Sequence, residues 1–311
     1  MPTVLGIDCS GKGSNIGVER CIVNYGKKTG HIQVPKGTSY PVASAFDKDF
    51  WNNEVQQGRA RFLGANFGVT TEVGDPTTET STLQKQSVTD RPLPVVTADL
   101  RKGYEGHAGM YTMSGQDLYD VFDIYQNNII KGALSLDGLS ITGFSVGMYE
   151  VLTWEDATDG QSARTRIMYQ YDDLFEYNTR GIALTNLNFN ANKDIKNIVD
   201  IDMTGRAVIG GSIFVKTPWL RNLNQSVSGF SKPNFRITVN GVTDVISNST
   251  VTRDPSTLEW EIEPTATLDA NDAVVVYLTD QTATPPVDVA KVGVTNPSFY
   301  EGQTDVITPV A

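Results

Sequence analysis

The sequence predicts a mainly β protein: an antiparallel β-barrel or sandwich core with one or two short helices, followed by a smaller C-terminal β-sandwich. Three observations predict it. Short segments alternate apolar and polar side chains, as Thr165, Ile167 and Tyr169 do against Arg164, Arg166 and Met168. That two-residue period marks a strand with its two faces in different surroundings. Turn signals such as Asp137-Gly138, Asp159-Gly160, Gly210-Gly211 and Asn240-Gly241 separate the segments. Helix and strand patterns do not alternate regularly, which argues against a doubly wound enzyme fold.

Residues 1–45 read as short strands and tight turns, with weak alternation from Val18 to Tyr25. A helix is expected from about Ser44 to Arg61. Phe46, Phe50, Trp51 and Val55 fall on one face, Ser44 supplies an N-cap and Gly64 a stop. Residues 64–94 are rich in Thr, Ser, Gly and Asp and have little to bury, so they form a long exposed loop. In an assembly protein, such a loop typically orders only against a neighbour. A second short helix is expected from Ser114 to Asn127, with Leu118, Val121, Phe122 and Tyr125 at helical spacing. Strand patterns follow at 129–136, 141–154, 163–171, 182–189, 198–203 and 207–215.

A polar stretch, Asn222 to Gly229, sets a domain boundary near 219–232. The expected organisation is a β-rich assembly domain over 1–220, a compact β-domain over 230–282 and an extended tail over 283–311. In the second domain Phe235, Ile237 and Val239 alternate into Asn240-Gly241, and Leu258, Trp260 and Ile262 alternate again. Residues 273–278 are apolar on both faces, as a sandwich-core strand would be.

The chain has 311 residues, enough for two domains, with 39% hydrophobic and 20% charged residues, a balance that sustains a packed core. A net charge of -11 repels phosphate, which makes the chain a poor candidate for gripping nucleic acid; acidity that simply keeps the chain soluble is the plainer reading, and a surface that nucleic acid passes without sticking is the other. Two cysteines, Cys9 and Cys21, make neither a disulfide framework nor a zinc site and suit a reduced compartment. Met1 to Gly13 lacks a secretory pattern, and no run of about 20 apolar residues is present, so no membrane partner is expected.

Gly6 to Ser14 superficially resembles a phosphate-binding loop, but Gly13 stands where Ser or Thr would hold magnesium, and no helix pattern follows. A Gly-rich turn is the better reading. His31 and His107 are isolated from metal-ligand or triad partners. Ser145 sits in a G-x-S-x-G pattern, yet strand-like residues continue through it and no elbow is expected. The pairs Glu155-Asp156, Asp172-Asp173 and Asp200/Asp202 read as solvated carboxylates, and Asp269, Asn271 and Asp272 as turn formers. The aromatics Phe46, Phe50 and Trp51, and Tyr169, Tyr171, Phe175 and Tyr177, suit core or inter-subunit packing better than a sugar platform. No catalytic, cofactor-binding or metal-binding residue is assigned, and a non-enzyme is expected.

The segment from Gly115 to Tyr125 and from Leu136 to Phe144 resembles virion proteins of tailed phages, and the C-terminal unit resembles the immunoglobulin-like modules appended to phage tail-tube and capsid proteins. The resemblance implies a structural subunit of the tail-tube type. It would be built in the host cytoplasm, join copies of itself and other virion proteins into a ring or tube, and line a lumen for passing DNA. A capsid or capsid-decorating protein is the nearest alternative, and tubes against shells in micrographs separate the two. A carbohydrate-binding or adhesin module is the third reading, tested on a glycan array. A hydrolase using the acidic pairs ranks last.

Overall fold

Strands account for 47% of the chain and helices for 13%, so the protein is mainly β, as its alternation predicts. The computed structural model describes residues 3–5, 25–64, 68–80, 86–101, 103–201, 203–219, 222–248, 250–283, 286–292 and 298–310. Contacts divide the chain into two units, Met1–Glu54 with Arg59–Ile195, and Val55–Gly58 with Lys196–Ala311.

The first unit contains β1 (Thr3–Leu5), β2 (Lys28–Pro35), β3 (Ser39–Pro41), β4 (Arg61–Leu63), β5 (Gly68–Glu72), β6 (Thr77–Thr80), β7 (Gln86–Asp90), β8 (Val95–Leu100), β9 (Gly115–Gln116), β10 (Tyr119–Tyr125), β11 (Ile129–Leu134), β12 (Ser140–Thr142), β13 (Phe144–Val151), β14 (Thr165–Tyr171) and β15 (Gly181–Leu184). All but β6 and β7 join one 13-stranded sheet, which curls into a half-barrel. Its main path runs β1-β15-β11-β10-β13-β14-β8-β5, with β2 also beside β10 and β4 outside β2. The pairings are antiparallel except β1 with β15.

Directly opposed residues of neighbouring strands share a face. One face carries Val121 and Phe144, and with Val146, Tyr149, Ile167, Tyr169, Tyr171, Val96 and Leu100 it forms the core enclosed by the curl. On the other face Phe122 meets Trp51 of α1 (Lys48–Gln56), with ring centroids 5.2 Å apart, and Tyr40 and Phe50 complete the cluster. The expected helix over 44–61 is therefore shorter. Ser44–Phe46 is a separate 3-10 turn, and Asp47 caps α1 by accepting from the Asp49 amide at 3.0 Å. Gly58, at φ +68, ends it: the Gly58 and Arg59 amides reach back to the Val55 and Glu54 carbonyls, a Schellman closure.

The helix expected over 114–127 is replaced by β10. Both faces of that strand are buried, with Asp120 and Asp123 among the covered side chains, so polarity does not alternate along it and the period of 2 is hidden. The unanticipated helix is α2 (Gly103–Tyr111), and a short α3 (Ala191–Asp194) follows later. The expected loop over 64–94 contains β5, an end strand of the sheet, and a β6–β7 hairpin that forms a two-stranded sheet by itself.

The second unit holds β16 (Ile198–Asp200), β17 (Thr204–Ala207), β18 (Ile213–Lys216), β19 (Pro218–Trp219), β20 (Asn222–Ser226), β21 (Phe235–Val239), β22 (Val242–Asp244), β23 (Thr252–Arg253), β24 (Glu259–Ile262), β25 (Val274–Leu278), β26 (Ala290–Val292) and β27 (Ser298–Glu301). The sheets β17-β18-β24-β23 and β22-β21-β25 share one core that includes Ile213, Val215, Phe235, Ile237, Trp260, Ile262, Val274 and Val276. Asn240 and Gly241 both take positive φ, 53 and 78, as their two-residue hairpin turn requires.

The boundary expected near 219–232 falls inside this unit. Val215 opposes Trp260 and Ile213 opposes Ile262, which binds residues 204–216 to the later strands, and the polar stretch contributes β20, paired with β19. The expected tail is also incorporated. β27 runs parallel to β16 and antiparallel to β26, and Tyr300 and Ile307 are buried in the shared core. Four apolar side chains, Val289, Ala290, Tyr300 and Ile307, are enough to draw a proline-containing segment inward.

Two glycine substitutions test the packing. A Cβ on Gly143 would lie 2.6 Å from the Val121 nitrogen and 2.8 Å from the Asp120 carbonyl carbon, whereas one on Gly109 in α2 meets nothing within 4 Å. In urea denaturation Gly143→Ala should lose about 1–3 kcal/mol as an overpacked site. Gly109→Ala should gain up to about 1 kcal/mol from helix propensity.

Candidate functional site

The most unusual chemistry in the first unit lies on the enclosed face of the curled sheet. Asp123 on β10 opposes His31 on β2 and Lys131 on β11. The β2–β10 ladder shifts register between Ile124 and Tyr125, so that Tyr125 opposes Lys28 and Ile124 opposes Gly30. The extra residue, Thr29, is a bulge. Regular pairing would set Thr29 opposite Tyr125 and turn Lys28 to the other face. The bulge instead brings Lys28 to the face of Asp123.

There Lys28 Nζ lies 3.0 Å from Asp123 Oδ1, with side-chain exposures of 7% and 0%. The Tyr171 hydroxyl accepts from Lys28 Nζ at 2.8 Å and donates to Asp123 Oδ2 at 2.7 Å. The Tyr169 hydroxyl donates to Oδ1 at 3.1 Å and lies 3.4 Å from Nζ. His31 Nε2 bonds the Tyr149 hydroxyl at 2.9 Å, and its Nδ1 has no hydrogen-bond partner. Lys131 caps this region among the rings of Tyr177, Phe144 and Tyr25, the first centred 4.5 Å from its Nζ.

Burial governs the ionisation of these groups, because loss of water penalises whichever form is charged. It lowers the Lys28 ammonium against the opposing pull of Asp123, and it lowers Lys131. Burial takes His31 down to about 3, so the imidazole is neutral at ordinary pH. Tyr169 and Tyr171 are raised well above their usual value, first by burial and then by the Asp123 charge, so both remain hydroxyl donors.

The residues singled out in the sequence are dispersed. His31 joins the buried cluster, while His107 lies on α2 near Trp154. Ser145 sits within β13, donates to Asp172 at 3.1 Å and occupies no elbow. Glu155 and Asp99 are neutralised by Arg164 and Arg166 through contacts of 2.6–3.0 Å. This group borders a groove of 360 Å³ also lined by Thr70, Thr97 and Leu152, but its guanidiniums are already paired. Asp156 accepts from Trp154, Asp172 pairs with Lys36, and Asp173 accepts from the Glu176 amide. Asp272 accepts from the Asp269 amide at 2.7 Å, a turn contact. Tyr169, Tyr171 and Tyr177 face the enclosed cluster, and only Phe175 of that aromatic group is exposed. Gly6 to Ser14, Cys9, Cys21 and Asp202 lie outside the described residues, as does the Asp200 side chain. Among the described residues no group of three His, Cys, Asp or Glu could hold a metal.

Lys28, Asp123 and Lys131 carry the cluster, and sequence reasoning passed over all three. The available signal was Asp123 itself, a carboxylate inside the apolar run Val121-Phe122-Asp123-Ile124-Tyr125.

The second distinctive feature is a surface. Residues 70–80 are exposed without a break, and the β6–β7 hairpin presents Val88 with no core beneath it. The β11–β12 turn carries Leu136 and Leu139, 93% and 74% exposed. The chain matches no family model and no curated protein.

The His31 environment sets an acid sensitivity. Its folded value of about 3 lies below the unfolded 6.5, so between them the unfolded chain binds the proton and the folded chain does not. Stability then falls as pH drops through that window, by at most about 1.4 kcal/mol per unit. His31→Gln should flatten the dependence of the urea midpoint between pH 6 and pH 4, because it removes this titration while keeping a polar partner for Tyr149.

Proposed function

We propose that this chain is a structural subunit that joins copies of itself into a ring or tube, of the tail-tube type found in tailed-phage virions. The observation that carries the reading is the β6–β7 arm: a two-stranded hairpin with its described side chains in solvent, following in sequence an end strand of the large sheet. An isolated two-stranded hairpin is marginal in water, and a third strand or a hydrophobic surface stabilises it. A neighbouring subunit provides such a surface. β5 ends its sheet without another described strand beyond it, so it offers unpaired backbone groups to an incoming strand. Leu136 and Leu139 add an apolar contact at a separate tip.

A repeated interface of this kind closes into a ring when successive subunits are related by a rotation. The net charge of -11 suits the lumen of such a ring, because like charge keeps DNA from adhering. The resemblance of residues 115–125 and 136–144 to tailed-phage virion proteins supports the same assignment, with the virion as location and other virion proteins as partners.

Negative-stain microscopy of the purified protein should show rings or tubes. Replacing residues 74–91 by a short Gly-Ser linker should leave a folded monomer, with unchanged circular dichroism, that no longer assembles. A wild-type chain that sediments as a monomer at high concentration and shows no rings would refute the proposal.

A further inference from the structure

The Lys28–Asp123 pair is arranged for more than an ionic contact. An amine and a carboxyl group are held 3.0 Å apart on adjacent strands, away from solvent, with one tyrosine hydroxyl bonded to both partners. We infer that Lys28 Nζ and the Asp123 carboxyl condense within the folded chain to an isopeptide bond, cross-linking β2 to β10. The inference does not depend on the assembly reading, because every group it uses lies within one chain.

The site accounts for each atom and proton. In a dry pocket the ion pair converts to the neutral amine and acid when one proton passes from Nζ to the carboxylate. Burial already disfavours the Lys28 ammonium. The Nζ lone pair attacks Asp123 Cγ, a carbon–nitrogen bond forms, and negative charge develops on Oδ1. The Tyr169 hydroxyl donates to that oxygen at 3.1 Å and stabilises it. Tyr171 then relays a proton. Its hydroxyl accepts from Nζ at 2.8 Å and gives its own proton to Oδ2 at 2.7 Å. The Cγ–Oδ2 bond breaks, Oδ2 leaves as water, and the Cγ=Oδ1 double bond returns. The net reaction is one amine plus one carboxylic acid to one amide plus one water, with no oxidant, metal or activated donor.

Three features favour this chemistry here. The Thr29 bulge fixes Lys28 on the Asp123 face, so the encounter is already oriented; positioning of this kind replaces a bimolecular collision. The rings of Tyr149, Tyr169 and Tyr171 exclude water that would favour hydrolysis. The product amide is neutral, so the fold exchanges two buried charges for one hydrogen-bonding group.

Mass spectrometry tests the inference directly. The purified full chain, denatured and weighed intact, should be lighter by one water than its sequence mass. A tryptic digest should contain a branched peptide joining Lys28 to Asp123, with no cleavage after Lys28. Lys28→Arg should restore the full mass. Tyr171→Phe keeps the ring and removes the relay, so the cross-linked fraction should accumulate about 100-fold more slowly. Ser145→Ala, on β13 and outside the cluster, should cross-link like the wild type. If the wild-type chain has its full sequence mass, and trypsin cleaves freely after Lys28, the inference is wrong whatever the variants do.

Discussion

A lysine and an aspartate occupy a water-excluded space inside the curled sheet, and much of the first unit is arranged to hold them together. A single buried charge is costly because it loses hydration that a low-dielectric interior does not replace. A pair recovers that loss only with good geometry and further hydrogen bonds. Two tyrosine hydroxyls of β14 supply those bonds to Asp123, and β14 belongs to the same sheet as β10. The arrangement requires β2, β10, β13 and β14 in one register. A slip of one residue would turn each of these side chains to the opposite face. The polar cluster thus adds to the register already set by the buried apolar face of strands such as β8 and β14.

The curl makes the two faces of the sheet unlike. One encloses the tyrosine-rich core, and the other packs Phe122 against Trp51 and Tyr40. Strands buried on both sides, such as β10, leave little apolar surface for intermolecular use. Open strand edges lie at end strands such as β5, and exposed apolar side chains include Leu136 and Leu139 at the β11–β12 turn and Val88 in the β6–β7 arm.

The second unit uses a different device. Its two main sheets share one core, and the final residues close it: Tyr300 and Ile307 enter the apolar cluster while short bridges tie Gln303 to Tyr277 and Ile307 to Val274. A segment that looks extendable in composition is thereby part of the fold. Its apolar residues are sparse: Tyr300 and Ile307 are buried in the core, while Val306 and Val310 stay in solvent.

The sequence alone determined the β class, the principal strand at 165–171, the Asn240-Gly241 hairpin, the middle of the first helix and the exposure of residues 70–80. All of these rest on local signals, on periodicity, turn chemistry or the lack of anything to bury. Tertiary structure alone decided that residues 119–125 are a strand, because a segment buried on both faces has no alternation to reveal it. It also decided that residues 204–216 and β27 belong to the second unit, through pairings with strands distant in sequence. The buried cluster was decided the same way. Lys28 and Asp123 lie far apart in the chain, and a single bulged residue at Thr29 selects the face on which they meet; no local pattern encodes that choice, because it exists only once the two strands are aligned.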